Sequence, residues 1–80
     1  MNEQEHYAAV YSELSRRLLR AAYYHTQYAG PVLTPFDVAK IYMAAGTWLA
    51  KNAASLDVAV ALLREVADQF EAGADLTRPG

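Results

Sequence analysis

The chain has 80 residues, of which 54% are hydrophobic and 20% are charged, with a formal net charge of −2 and no cysteine. This length excludes a second domain, and the lack of cysteine excludes a disulfide framework and a thiolate zinc site. The weak charge argues against a nucleic-acid or anionic-membrane partner. No apolar run approaches the roughly 20 residues that span a bilayer, and the opening MNEQEHY is too polar for a secretory signal. We therefore expect a soluble cytoplasmic protein.

The first predicted helix runs from Asn2 or Glu3 to Tyr28. Asn2 can cap its N-terminus, and two glutamates in the first turn suit the positive end of the helix dipole. Gly30 and Pro31 form a typical helix stop. One side of this helix is apolar at helical spacing and is expected to face the core: Tyr7, Val10, Tyr11, Leu14, Leu18, Ala21, Ala22, His25 and Tyr28.

The second predicted helix has the strongest start signal in the chain. Thr34 is a good N-cap, Pro35 fits the first helical position, and Asp37 can complete a variant of the capping box. Leu33 and Val38 are spaced to form a hydrophobic staple around the cap.

The third predicted helix begins after Ser55, a second N-cap, and stops at Gly73. The pattern indicates an all-α protein with a single helical domain over residues 1–73 and a short flexible tail over 74–80. Because short loops make neighbouring helices antiparallel, we expect a three-helix bundle with a long first helix. The apolar surplus and the unequal helix lengths predict a homodimer.

The second helix is apolar on two opposite sides, whereas a surface helix normally needs only one such stripe. The first stripe is expected to be core and contains the only tryptophan: Val38, Ile41, Tyr42, Ala45, Trp48 and Leu49. The other stripe has small or adaptable side chains and is predicted as the dimer interface: Ala39, Met43, Gly46 and Ala50. The pattern leaves open whether this second stripe is covered within the chain, by a second copy or by another protein.

The first helix also carries arginines and tyrosines on the side away from its apolar stripe. Five of these polar residues form the predicted partner-binding site: Arg16, Arg20, Tyr23, Tyr24 and Gln27. Arginine pairs with carboxylates and phosphates, tyrosine stacks on flat groups, and both are enriched at interface hot spots. The competing interpretation is a solvated helix face whose arginines balance Glu13.

Other chemistries have little support. His25 is expected to be a hydrogen-bonded core residue, because no second ligand lies three or four residues away, and no metal or cofactor is predicted. The sequence holds no nucleophile with a base beside it, so we do not expect an enzyme. A helix-turn-helix would present the third helix to DNA, yet the outer face of that helix is acidic.

The sequence therefore favours a small homodimeric inhibitor or adaptor that binds and occludes another protein with an acidic surface. Phage-encoded inhibitors and bacterial regulatory adaptors include proteins of this size and composition, which is an analogy and establishes no function. One alternative is a binder or sponge of an anionic, nucleotide-like molecule, held by arginine and tyrosine. Another is a subunit of a larger helical assembly.

Overall fold

A computed structural model describes residues 2–79 of the chain and contains three α-helices with no strand in that range. Helix α1 spans Glu3–Ala29, α2 spans Pro35–Ala53 and α3 spans Leu56–Glu71. The all-α class and the three-helix order predicted from the sequence are confirmed. At 1.5 Å per residue, α1 is about 40 Å long and outreaches both of its successors.

The helix starts are set by local side-chain caps, as the sequence predicts. The side chains of Asn2 and Ser55 accept backbone N–H groups three residues later. At α2, the Thr34 hydroxyl accepts the N–H of Asp37 at 3.2 Å, while the Asp37 carboxylate accepts the N–H of Thr34 at 2.9 Å. This reciprocal capping box satisfies two of the N–H groups that a helix start leaves without partners.

The end of α3 is equally specific. Gly73 has a φ of +80°, and its N–H donates to Phe70 O, while the N–H of Ala74 donates to Gln69 O. These two bonds define a Schellman motif, in which a residue of left-handed conformation closes the helix. Gly73 is therefore the stop that the sequence predicts, and its lack of a Cβ makes that conformation accessible.

The packing is centred on α2. This helix packs against both α1 and α3, but within the described residues the backbones of α1 and α3 stay more than 8 Å apart, measured between α-carbons. The first half of α2, around Val38 and Tyr42, meets α1, and the second half, around Gly46 and Ala50, meets α3. The three helices therefore form an open arrangement around α2.

Little of the apolar surface is covered in this arrangement. The most buried side chains are Val38 and Ala59, with 6% and 1% of their surfaces accessible. The accessible surface of the chain is 6971 Å², whereas a folded monomer of 8.8 kDa typically has about 4,800 Å². The radius of gyration is 14.3 Å, against about 12 Å for a compact domain of 80 residues. A single copy thus leaves about 2,200 Å² more surface in water than its mass requires.

Helix α1 presents an unexpected side to the rest of the chain. The half-buried residues of α1 are mostly small and recur at helical spacing: Ala8, Ser12, Ser15, Ala21, Ala22, Thr26 and Ala29. The large side chains of the predicted core stripe stay exposed, including Tyr7, Leu14 and Leu18. The expectation that this stripe forms the core of the chain is wrong, because the residues of α1 that are half-buried are its small ones and not the large ones of the stripe.

The segment after α3 has local turn structure. The Asp75 carboxylate accepts hydrogen bonds from the N–H and hydroxyl of Thr77 and forms an ion pair with Arg78 at 3.4 Å. Leu76 is half-buried and lines one concavity with Leu19 of α1 and another with Phe70 of α3. This segment therefore lies beside both outer helices. Flexibility of residues 74–80 stays a prediction, and Met1 and Gly80 lie outside the described residues.

Candidate interaction surfaces

The predicted partner-binding residues lie together on one exposed side of α1, which we call the Arg–Tyr face: Arg16, Arg20, Tyr23, Tyr24 and Gln27. Tyr23 and Tyr24 have 69% and 66% of their surfaces accessible. The hydroxyl of Tyr23 accepts a hydrogen bond from Gln27 Nε2 at 2.9 Å, one helical turn away. The rings are therefore available to a partner while one of their hydroxyls is already oriented.

Glu13 borders the Arg–Tyr face and engages two guanidinium groups. Arg16 donates to its carboxylate at 2.6 Å and Arg17 donates at 3.0 Å. Hydrogen bonds from Arg16 and then Arg17, with their positive charges, hold the pKa of Glu13 below its ordinary value. Since all three side chains are exposed, water screens these ion pairs, and a partner carboxylate can exchange with Glu13 at little cost.

Arg20 differs from the two arginines before it. In the part of the chain that the structure describes, no carboxylate lies within 4 Å of its guanidinium group. It lies one turn from Arg16 and one turn from Tyr24 on the same helix. A planar guanidinium in this setting can bind a carboxylate through two parallel hydrogen bonds.

The predicted dimer-interface residues line concavities between helices of the same chain. Met43, Gly46 and Ala50 line the boundary with α3, opposite Ala59 and neighbouring leucines. Ala39 lines the concavity on the α1 side. Their role between two copies stays a prediction, and the structure gives each of them a neighbouring helix within one copy.

Trp48 is not a core residue of the single chain. It has 66% of its surface accessible, and Ile41 and Leu49 beside it are similarly exposed. The expectation that Trp48 is core is wrong, because α1 reaches this stripe at Val38 and Tyr42 but leaves Trp48 exposed. The apolar pattern indicates a stripe that favours burial, but within one copy Ile41, Trp48 and Leu49 of that stripe stay exposed.

The apolar stripes of α1 and α2 adjoin each other. His25 Nδ1 and the Tyr42 hydroxyl are hydrogen-bonded between the two helices. His25 shares its stripe with Leu14 and Leu18, and Tyr42 shares its stripe with Leu49. This hydrogen bond joins the α1 stripe to the Trp48 stripe of α2 at one point between the two helices.

We call this surface the α1–α2 apolar face, and it consists of six large exposed side chains: Tyr7, Val10, Leu14, Ile41, Trp48 and Leu49. Both stripes are recognisable in the sequence, where their pattern predicts core. On α1, the regular spacing of the small residues from Ala8 to Ala29 is the signal that this side, and not the large apolar stripe, faces the rest of the chain.

A second apolar concavity, which we call the α3 concavity, lies between α3 and the C-terminal segment. Leu63, Val66 and Phe70 of α3 line it together with Met43 of α2 and with Leu76. Its volume is about 540 Å³, and it is open to solvent along one side. Leu76 covers part of it from within the chain.

Residues 2–79 contain no cluster of three or more His, Asp or Glu side chains placed to hold a metal ion. Over the same range, none of the helices combines the length and the apolar character that crossing a bilayer requires. No family model, curated protein or solved structure matches the chain.

Proposed function

We propose that this chain is a small, non-enzymatic interaction protein that works as a homodimer and binds an acidic surface of another protein. The observation that carries the proposal is the surplus of about 2,200 Å² of accessible surface over a typical monomer of this mass. Large exposed apolar patches on the surfaces of folded proteins mark interaction sites. An inhibitor or adaptor that occludes its partner is the simplest use of such a surface.

The Arg–Tyr face is the surface proposed for the other protein. Exposed Tyr23 and Tyr24 can supply stacking and contact area, and Arg16 and Arg20 can pair with carboxylates of the partner. Charged groups at an interface set register and association rate more than total affinity. The partner is therefore expected to present several carboxylates whose spacing matches that of Arg16 and Arg20, which are one helical turn apart.

Charge reversal of this face tests the proposal. Arg16→Glu and Arg20→Glu in one chain should abolish capture of the partner, because like charges would then face each other. The control is Arg64→Glu, a reversal on α3 far along the sequence from the Arg–Tyr face. Partner capture from the source cell, with binding measured again on the isolated complex, gives the comparison. Full binding by the double variant, with helicity unchanged, would refute the proposed face.

The alternative ligand is an anionic, nucleotide-like small molecule held by the same arginines and tyrosines. Native mass spectrometry and ultraviolet absorbance of freshly purified protein test for it. Extra mass of a few hundred daltons, with excess absorbance near 260 nm, would replace the protein-partner proposal by this one.

A further inference from the structure

We infer that the α1–α2 apolar face is the surface through which two copies of this chain pair. The inference rests on the proposed homodimer and names its interface, which is distinct from the stripe of Ala39, Met43, Gly46 and Ala50 predicted from the sequence. The occupant of the face is a second copy, for reasons of area, polarity and geometry.

The surplus surface of the whole chain has the size that a permanent interface covers. Each copy leaves about 2,200 Å² more surface exposed than its mass requires, so two copies have about 4,400 Å² to bury. Obligate homodimers bury about 2,000–5,000 Å² in total, whereas a transient complex of standard size removes only about 800 Å² from each partner. A transient partner would therefore leave more than half of the surplus in water.

The polarity of the face suits burial. From Val10 to Tyr28, the residues of the α1 stripe include no Asp, Glu, Lys or Arg, and the same holds for Ile41, Trp48 and Leu49 on α2. The Tyr7 hydroxyl and the Trp48 indole N–H are the polar groups of the six side chains that define the face. His25 and Tyr42, where the two stripes meet, are hydrogen-bonded to each other. A buried polar group is costly chiefly when it lacks a partner, so this pair can be covered without leaving its bonded atoms unsatisfied.

The geometry fits a twofold arrangement. Each copy offers two helices whose apolar stripes are joined at the His25–Tyr42 hydrogen bond, and pairing two such helical hairpins gives a four-helix arrangement. In an isologous contact the same patch serves both copies, so each stripe is covered without an additional chain. Arg16, Arg20 and Tyr23 lie on another side of α1 and stay accessible in this dimer.

The α3 concavity is the competing surface, and the test separates it from the proposed one. Leu14→Arg and Trp48→Arg each place a charge in the α1–α2 apolar face. Phe70→Arg places the same charge in the α3 concavity, on a side chain at least as exposed, with 73% of its surface accessible against 54% for Leu14 and 66% for Trp48. Sedimentation equilibrium gives the dimer dissociation constant for each protein.

We expect both face variants to raise the dissociation constant at least about 100-fold, as charges do at the centre of an apolar interface. Phe70→Arg should change it less than about 5-fold, an amount typical of positions outside hot spots. The reverse ranking would overturn the inference, and so would a wild-type protein that is monomeric at all concentrations.

Trp48 provides a second readout that needs no variant, because it is the only tryptophan of the chain. Acrylamide should quench its fluorescence weakly in concentrated protein and strongly after dilution below the dissociation constant. A dimer in which Trp48 is as accessible as free tryptophan would refute this interface even if the variants unfold. These readouts need no binding partner, so a wild-type chain that dimerises but captures no partner would refute the proposed partner binding alone.

Discussion

The imidazole of His25 and the hydroxyl of Tyr42 share a hydrogen bond that joins α1 to α2. The two residues are 17 positions apart, and the other side-chain hydrogen bonds among residues 2–79 link positions at most four apart. The pair is therefore the side-chain hydrogen bond that constrains how α1 is rotated relative to α2. It also joins one residue of the α1 apolar stripe to one residue of the α2 apolar stripe.

Removal of the Tyr42 hydroxyl should destabilise the chain. Tyr42→Phe keeps the ring and deletes the bond to His25, so we expect the free energy of unfolding to fall by about 0.5–1.5 kcal/mol. Tyr28→Phe is the matched control, since Tyr28 is the most exposed tyrosine and its hydroxyl forms no hydrogen bond among the described residues. Urea unfolding at one fixed protein concentration measures both. Equal effects of the two substitutions would show that the bond does not hold the helices.

The capping box at α2 should contribute measurably to stability. Thr34→Ala removes the hydroxyl that accepts the N–H of Asp37, and we expect a loss of about 1 kcal/mol in the free energy of unfolding. Thr34→Ser retains a hydroxyl in the same position and should stay close to wild type. Thermal and urea unfolding of the three proteins give the comparison, and a Thr34→Ser protein as unstable as Thr34→Ala would contradict the capping role.

The same cap should make stability depend on acid pH. The Thr34 N–H and then the Thr34 hydroxyl hold the pKa of Asp37 below its ordinary value of 3.8. Because the folded pKa is the lower one, the ionised carboxylate stabilises the fold above about pH 3.8, and this contribution is lost as the pH falls through the folded pKa. The stability difference between wild type and Asp37→Asn should therefore shrink on acidification.

Two other carboxyl groups, Glu13 and Asp75, also have lowered pKa values, Glu13 through its arginines and Asp75 chiefly through hydrogen bonds from Thr77. Both groups are present in wild type and in Asp37→Asn, so their contributions cancel in the difference between the unfolding free energies of the two proteins. Unfolding free energies measured from neutral pH to below 3.8 check the prediction, which fails if the difference is constant over that range.

Substitution of two glycines by alanine should change the free energy of unfolding in opposite directions. Gly73→Ala forces a side chain into a left-handed conformation, with φ at +80°, and should lower the free energy of unfolding by about 1–2 kcal/mol. Gly46 is inside α2, and a Cβ added there meets no atom within 4 Å, so Gly46→Ala should raise it by up to about 1 kcal/mol. Urea unfolding of both variants measures the two changes. A change of the same sign in both would contradict the different roles given to Gly73, as a left-handed helix stop, and Gly46, as a residue inside a helix.

Gly46→Ala also discriminates between the two dimer surfaces. If copies paired through Gly46 by close helix approach, the added methyl group would weaken the dimer. The α1–α2 apolar face predicts an unchanged dissociation constant, measured by sedimentation equilibrium. A large increase for this variant would favour the surface predicted from the sequence.

The helix ends were predictable because they depend on residues close in sequence. Asn2, Thr34 and Ser55 each cap through a bond that spans three positions, and Gly73 closes α3 through bonds of similar range. Periodicity likewise identified the stripes of each helix and the shared side of Arg16, Arg20 and Tyr23.

The pairing of these stripes was not predictable from the pattern. Periodicity shows that the Trp48 stripe is apolar, but it does not show which helix covers it or whether the cover belongs to the same copy. The side of α1 that packs against the rest of the chain carries small residues such as Ala8 and Ser15, which contribute little to an apolar pattern. The side of α1 that packs against the rest of the chain is therefore less hydrophobic than the Leu14 stripe, and hydrophobicity alone does not identify it.

The separation of α1 from α3 has a consequence for how the chain folds. Each outer helix packs against α2 and not against the other, as neighbouring units do in a linear repeat array. Either hairpin can then form first, and the hairpins communicate only through α2 and the Leu76 segment. Amide hydrogen exchange should be slowest in α2, because exposing its backbone requires both hairpins to open, whereas α1 or α3 can open alone.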